Sequence, residues 1–248
     1  MKPNRFIFFL VITLVSLSVI LFLFQYLAFH DTRDTFFYLF QDIAFLPVQV
    51  LLVTLVLERI LRITEKRERL TKQNMVIGTF FSEMGAGLLK YFSSIDPNIE
   101  SIREKLIIKG TWTGKDYKAA SARLAAYQPG IALEKVKFEE FKRTLVGHRN
   151  FLLGLLENQN LLEHERFTDV LWATFHLLEE LMYRKDFSES PKSDLEHLAG
   201  DMKRAYQNLI CQWIDYMQHL KVSYPYLFSL ALRTNPFDPE SKVEVTEK

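Results

Sequence analysis

Two long apolar runs open the chain, and amphipathic segments with a helical period fill the remainder. From Phe6 to Phe29 there is no charged residue, and the only polar side chains are Thr13, Ser16, Ser18, Gln25 and the Tyr26 hydroxyl. Twenty-four helical residues reach about 36 Å, enough to cross a hydrocarbon core of about 30 Å. A second apolar run, Phe36 to Leu57, follows after only His30-Asp31-Thr32-Arg33-Asp34-Thr35. So short a link predicts antiparallel neighbours, a two-helix transmembrane hairpin over residues 1–58 with spans at about 6–29 and 36–57. A cleaved signal peptide has a shorter apolar core that ends in small residues. Here the run ends Gln25-Tyr26-Leu27-Ala28-Phe29, which favours an uncleaved anchor.

No helix breaker separates Leu57 from Thr79 except Gly78 near the far end, so residues 59–74 are expected to continue as a basic juxtamembrane stalk. Val56, Ile63, Leu70, Ile77 and Met84 recur every seven residues, the period of a coiled-coil seam. Arg59, Lys66, Gln73, Arg67 and Asn74 occupy the companion positions, so packing of the stalk against its own domain explains the stripe as well.

From Met75 to Arg233 the patterning predicts a helical domain. Asp96-Pro97-Asn98-Ile99-Glu100 reads as a capped helix start, carried through Lys109 and stopped by Gly110. Thr113 with Asp116 resembles a capping box before an alanine-rich helix that ends at Gln128-Pro129-Gly130. A long helix is expected from about Ala132 to Leu156, then a turn at Asn158-Gln159-Asn160. Another spans about Leu162 to Arg184, with Phe167, Leu171, Trp172, Phe175, Leu178 and Leu181 on its apolar side. A polar loop with Pro191 precedes the last long helix, Asp194 to Val222, and a bulky segment, Tyr224 to Leu232. Residues 234–248 read as a disordered polar tail. The fold class is all-α: the hairpin, its stalk and an antiparallel helical bundle without internal repeats.

Charge sets the orientation. Arg59, Arg62, Lys66, Arg67, Arg69 and Lys72 follow the second span, Lys2 and Arg5 precede the first, and the loop holds Arg33 between two aspartates. The positive-inside rule places both termini in the cytoplasm, in a multi-pass protein of the cell's inner (cytoplasmic) membrane. The basic run also suits attraction to anionic lipid head groups. Across the whole chain 31 Lys and Arg stand against 30 Asp and Glu, so net charge predicts no nucleic-acid partner. Nine Gly and eight Pro are few for this length, which favours long helices over a turn-rich β fold. One cysteine, Cys211, excludes an internal disulfide and fits a reducing compartment.

Candidate chemistry is sparse. Asp42 and Gln49 lie in the second span, with Pro47 between them, and an ionisable group at membrane depth is a functional hypothesis by default. By depth, Gln49 matches Ser16 and Asp42 lies near Gln25, so hydrogen bonds across the hairpin explain them most simply. The sharper reading makes them the lining of an ion or proton path built from several hairpins. In the domain, His176 with Glu179 and Glu180, Asp194 with His197, and Asp215 with His219 have metal-ligand spacing, with His176 and Glu180 the foremost pair, but no Glu-x-x-His occurs and chance pairing is favoured over a metal site. No cofactor is expected. Gly85-Ala86-Gly87 matches no phosphate-binding loop and reads as close helix packing. Cys211 reads as packing, and Trp112 as a tucked-in loop aromatic.

Phe45-Leu46-Pro47-Val48-Gln49-Val50-Leu51-Leu52-Val53, with Tyr224-Pro225-Tyr226-Leu227-Phe228-Ser229-Leu230 before Arg233-Thr234-Asn235-Pro236-Phe237, resembles a group of uncharacterised prokaryotic membrane proteins. The resemblance covers most of the chain and implies a hairpin plus a helical cytosolic region. It brings no known activity or site residues. The expectation is therefore a non-enzymatic, membrane-anchored interaction or regulatory module. Its expected partners are the lipid bilayer, a protein of unknown identity, and further copies of itself through hairpin and stalk. The alternative is a subunit of an oligomeric ion channel or transporter.

Overall fold

A computed structural model describes residues 3–29, 32–159, 161 and 164–244, and all regular structure among them is helical. Lys2, His30, Asp31, Asn160, Leu162 and the tail residues 245–248 lie outside the described residues, so the expectations placed on them do too. The chain divides into two units, Met1–Lys66 and Arg67–Lys248.

The first unit holds α1 (Pro3–Phe29) and the opening of α2 (Thr32–Phe80), which continues helical through Pro47. Among its described side chains only Phe22, Gln25 and Leu39 are part-covered, and the rest are exposed. The close antiparallel packing expected along the two spans is thus absent among these residues. So are the hydrogen bonds expected between Gln49 and Ser16 and between Asp42 and Gln25. Two helices that are apolar on every side gain little from facing one another, unless small residues let the backbones close or polar groups meet. Phe and Leu dominate both spans.

In the second unit the end of α2 turns inward: Ile77 and Phe80 are fully buried. A π turn, Phe81–Gly85, follows and leads into α3 (Ala86–Ile95). Phe80 stands edge-on to Phe167 at 5.2 Å, while Phe81 stacks on Tyr216 at 4.8 Å. A Cβ on Gly85 would come within 2.7 Å of the Phe80 ring, so the turn needs glycine there. Gly87 meets nothing within 4 Å, so close packing explains the first of these two glycines and not the second. The seven-residue stripe is divided: Ile77 and Met84 belong to the core, whereas Val56, Ile63 and Leu70 are exposed.

The capped helix expected from Pro97 to Lys109 is instead two short pieces, a 3-10 turn Ile99–Ser101 and α4 (Arg103–Leu106). Asp96 does not cap it. One carboxylate oxygen accepts the amide protons of Asn98 and Gly130, each at 2.9 Å, and the other accepts the Tyr127 hydroxyl. Burial and the neighbouring carboxylate push the Tyr127 hydroxyl well above its ordinary pKa. A Cβ on Gly130 would meet Pro97 at 2.8 Å, which fixes glycine at this crossing. The Thr113–Asp116 capping box is present, and the Asp116 carboxylate accepts the Thr113 amide at 2.6 Å. It opens α5 (Gly114–Ala126).

The single helix expected over 132–156 is also interrupted. A 3-10 turn (Leu133–Lys135), α6 (Phe138–Gly147) and α7 (Arg149–Leu156) replace it, with breaks at Lys137 and His148. Helices α8 (Glu165–Tyr183), α9 (Lys192–Ser223) and α10 (Pro225–Arg233) fall close to their expected places. Helix α9 packs against α8, α5, α10 and α3. Trp172, expected on the apolar side of α8, points outward at 56% exposure, because Leu171 and Phe175 already fill the inward face. Trp112 is tucked in, edge-on to Tyr117 at 5.2 Å.

The polar tail begins with a docked turn. Asn235 and Phe237 are buried, and Asn235 Nδ2 donates to the Leu106 carbonyl at 2.9 Å. Arg103 donates to the Phe237 carbonyl at 2.8 Å. Composition hides this, because one aromatic ring and one satisfied amide hold a segment that otherwise reads as solvated. Phe237→Ala should therefore destabilise the protein by about 3–5 kcal/mol, the cost of emptying a fully buried phenylalanine site. Urea denaturation of the full chain in detergent measures it, and a loss near zero would mean the turn is not part of the core.

Candidate functional site

Because α8 and α9 run antiparallel, residues four apart on one face of each helix meet across the seam. His176 and Glu180 lie on α8; His197 and Asp201 lie on α9. His176 Nε2 is 3.5 Å and His197 Nε2 3.4 Å from the same oxygen, Asp201 Oδ2. Glu180 lies 3.9 Å from each ring, through Oε1 to His176 and Oε2 to His197. Of the four, the sequence singled out His176 and Glu180. It paired His197 with Asp194 and missed Asp201, although His197-x-x-x-Asp201 repeats the spacing of His176-x-x-x-Glu180 on the next helix.

Two arginines border this cluster. Arg184 donates to Glu180 Oε2 at 2.7 Å and to both Asp194 oxygens at 2.6 and 2.7 Å, joining the end of α8 to the start of α9. Arg204 lies 3.1 Å from Asp201 Oδ1. The hydrogen bond from Arg184 holds the carboxyls of both Glu180 and Asp194 below their ordinary pKa. Asp201 Oδ2 is buried without a hydrogen-bond partner. As the side chains stand, no group of three or more His, Cys, Asp or Glu among the described residues is closed tightly enough to hold an ion.

The other sequence candidates lie apart from this cluster. Asp42, Gln49 and Ser16 are exposed on the apolar helices, with Gln25 half-covered. Arg59, Arg62, Lys66, Arg67, Arg69 and Lys72 are all exposed, and Arg62 pairs with Glu58 at 2.5 Å. Burial raises the Cys211 thiol pKa, which fits a packing residue and not a nucleophile. A cleft of about 260 Å³ opens beside Gly87, lined by Met84, Leu88, Tyr91, Glu140 and Phe141.

The chain belongs to a family of two-part helical proteins. One family model, described as "MJ1433, N-terminal helical domain", matches residues 2–61. A second, "Uncharacterized protein MJ1433, C-terminal helical domain", matches residues 69–233. A relative in Methanocaldococcus jannaschii, "Uncharacterized protein MJ1433", is 42% identical over 241 residues, covering 97% of each chain. No solved structure matches the chain.

The Arg184 network carries a pH dependence whose sign is fixed. Glu180 and Asp194 have folded pKa values below their unfolded ones, so their stabilisation is complete above the ordinary carboxylate range. It is lost as pH falls through the lowered folded values. Arg184→Met should flatten that acid limb between about pH 5 and about pH 2, read by denaturant unfolding at each pH. An unchanged slope would mean that Arg184 does not tie the two helix ends energetically.

Proposed function

We propose that residues 1–58 form a two-helix transmembrane anchor, and that the helical unit beyond it is a cytosolic interaction or regulatory module. The observation that carries this reading is the exposure of the apolar side chains of α1 and of the first half of α2. Isolated surface leucines are ordinary in a soluble protein, but a contiguous apolar surface of this length calls for lipid or a partner. By length and composition the stretch of α2 from Phe36 suffices to cross a membrane, and Ile12–Leu27 is a shorter apolar helix among the described residues. A helix satisfies its own backbone groups, so it tolerates a hydrocarbon surrounding. The exposed basic residues from Arg59 to Lys72 supply the charge asymmetry that keeps this end in the cytoplasm.

The single native cysteine makes a direct test simple. In a Cys211→Ser background, Arg33→Cys should react with a membrane-impermeant maleimide on intact cells. Lys242→Cys should react only after permeabilisation. Equal labelling of both on intact cells, or release of the protein by alkaline carbonate, would remove the anchor.

A second reading, a subunit of an oligomeric channel, is favoured by one observation. Asp42 and Gln49 are exposed on an apolar helix and form no hydrogen bond among the described residues. Two helices per chain do not enclose a pore, so that reading expects four or more chains per particle in nanodiscs. A monomer or dimer by particle mass excludes it.

A further inference from the structure

Helices α8 and α9 present the same element twice, a histidine followed four residues later by a carboxylate, and antiparallel packing turns the two copies toward each other. The polar atoms close a ring. Asp201 Oδ2 stands 3.5 Å from His176 Nε2 and 3.4 Å from His197 Nε2, and Glu180 completes it at 3.9 Å from each imidazole.

The arginine pairs along this seam are closer than these histidine contacts. Arg184 meets Glu180 at 2.7 Å and Asp194 at 2.6 Å, and Arg166 meets Asp215 at 2.6 Å. Those are direct charge-assisted contacts. The histidine contacts all stand off, and none of them is a hydrogen bond to Asp201 Oδ2. Leaving a carboxylate oxygen buried and unpaired is expensive, and the Asp201 side chain is only 3% exposed. Ligands about 2.0–2.1 Å from a tetrahedral centre lie about 3.3–3.4 Å from one another. Both Asp201 edges already have nearly that length. The Glu180 contacts run through different oxygens and exceed it by about half an ångström, so this 28% exposed side chain must rotate to bring one oxygen to the ion.

We propose that His176, Glu180, His197 and Asp201 bind one divalent first-row transition-metal ion, bridging α8 and α9. Two imidazoles with two carboxylates suit Zn²⁺ or its neighbours better than Mg²⁺ or Ca²⁺, which prefer all-oxygen shells. Arg204 on Asp201 Oδ1 holds the outer side of that carboxylate, the place of a partner that orients a ligand, and Arg184 on Glu180 Oε2 leaves Oε1 for the ion. The imidazoles, 45% and 57% exposed, leave the ion a path from solvent. The inference is independent of the membrane anchor.

The test uses the full-length protein in detergent, stripped with EDTA and titrated with Zn²⁺ by calorimetry and with Co²⁺ by visible absorption. One ion per chain is expected, with the intense d–d bands of a low-coordinate Co²⁺ site. His176→Ala and His197→Ala should each weaken binding at least about tenfold, as should Asp201→Asn, which keeps the side-chain shape. Saturating Zn²⁺ should raise the Tm of the native chain and not that of the double histidine variant, whose metal-free Tm shows that it folds. His148→Gln, at the α6–α7 junction, should bind as the native chain does. Absence of binding overturns the proposal, and so does binding that survives both histidine substitutions undiminished.

Discussion

The apolar face of α9 is the constraint on which the second unit depends. Its 32 helical residues rise about 48 Å, and from Leu198 to Leu220 the inward positions are occupied by Met202, Tyr206, Leu209, Trp213 and Met217 among others. No single neighbour covers a stripe of that length. Helix α8 takes the largest share, and α5, α10 and α3 cover the remainder. The rings of Phe80 and Phe81 enter the same core, Phe80 against Phe167 and Phe81 against Trp213 at 5.3 Å. The short helices from α3 to α7 follow from this arrangement, since a chain that must wrap a central helix turns where a straight helix would leave it.

That requirement explains which elements were legible. Helices α8, α9 and α10 carry their own apolar period, loop residues and Pro225, so local pattern and tertiary demand agree. The Thr113–Asp116 cap is local chemistry and was equally readable. Over 97–109 and 132–156 the two levels conflict. Asp96 has the composition of a helix cap, but its carboxylate is taken by Tyr127 and Gly130, more than thirty residues away. Helix propensity then yields at Ile102, Lys137 and His148, whose backbones leave the helical well. The docking of Asn235 on Leu106 is likewise a long-range contact that no window of the sequence contains.

The histidine cluster was half legible for the same reason. His176 and Glu180 share a helix face, which spacing alone reveals. Their pairing with His197 and Asp201 depends on the antiparallel register of α8 and α9, anchored by Arg184 at one end of the seam. One heptad step toward either terminus would bring different residues opposite His176. The seven-residue stripe shows the opposite failure: one period from Val56 to Met84 serves two surroundings, exposed at Ile63 and buried at Ile77. Periodicity records that an apolar side is needed; it does not record what covers it.

On the anchor reading, polar side chains in the spans differ in how they meet an apolar surrounding. Thr13 satisfies itself, its hydroxyl donating to the Phe9 carbonyl one turn earlier at 2.8 Å. A carboxylate has no such recourse, because it needs donors and the helix interior has already spent its amide protons on its own carbonyls. Asp42 lies about 9 Å along the helix from Phe36, close enough to the start of the span to reach interfacial water. Gln49 lies about 10 Å deeper, and its amide both donates and accepts. The two residues therefore make different demands. Hydration at the interface accommodates Asp42 with one chain, whereas Gln49 needs a polar group brought to its own depth by the first helix or by a second copy.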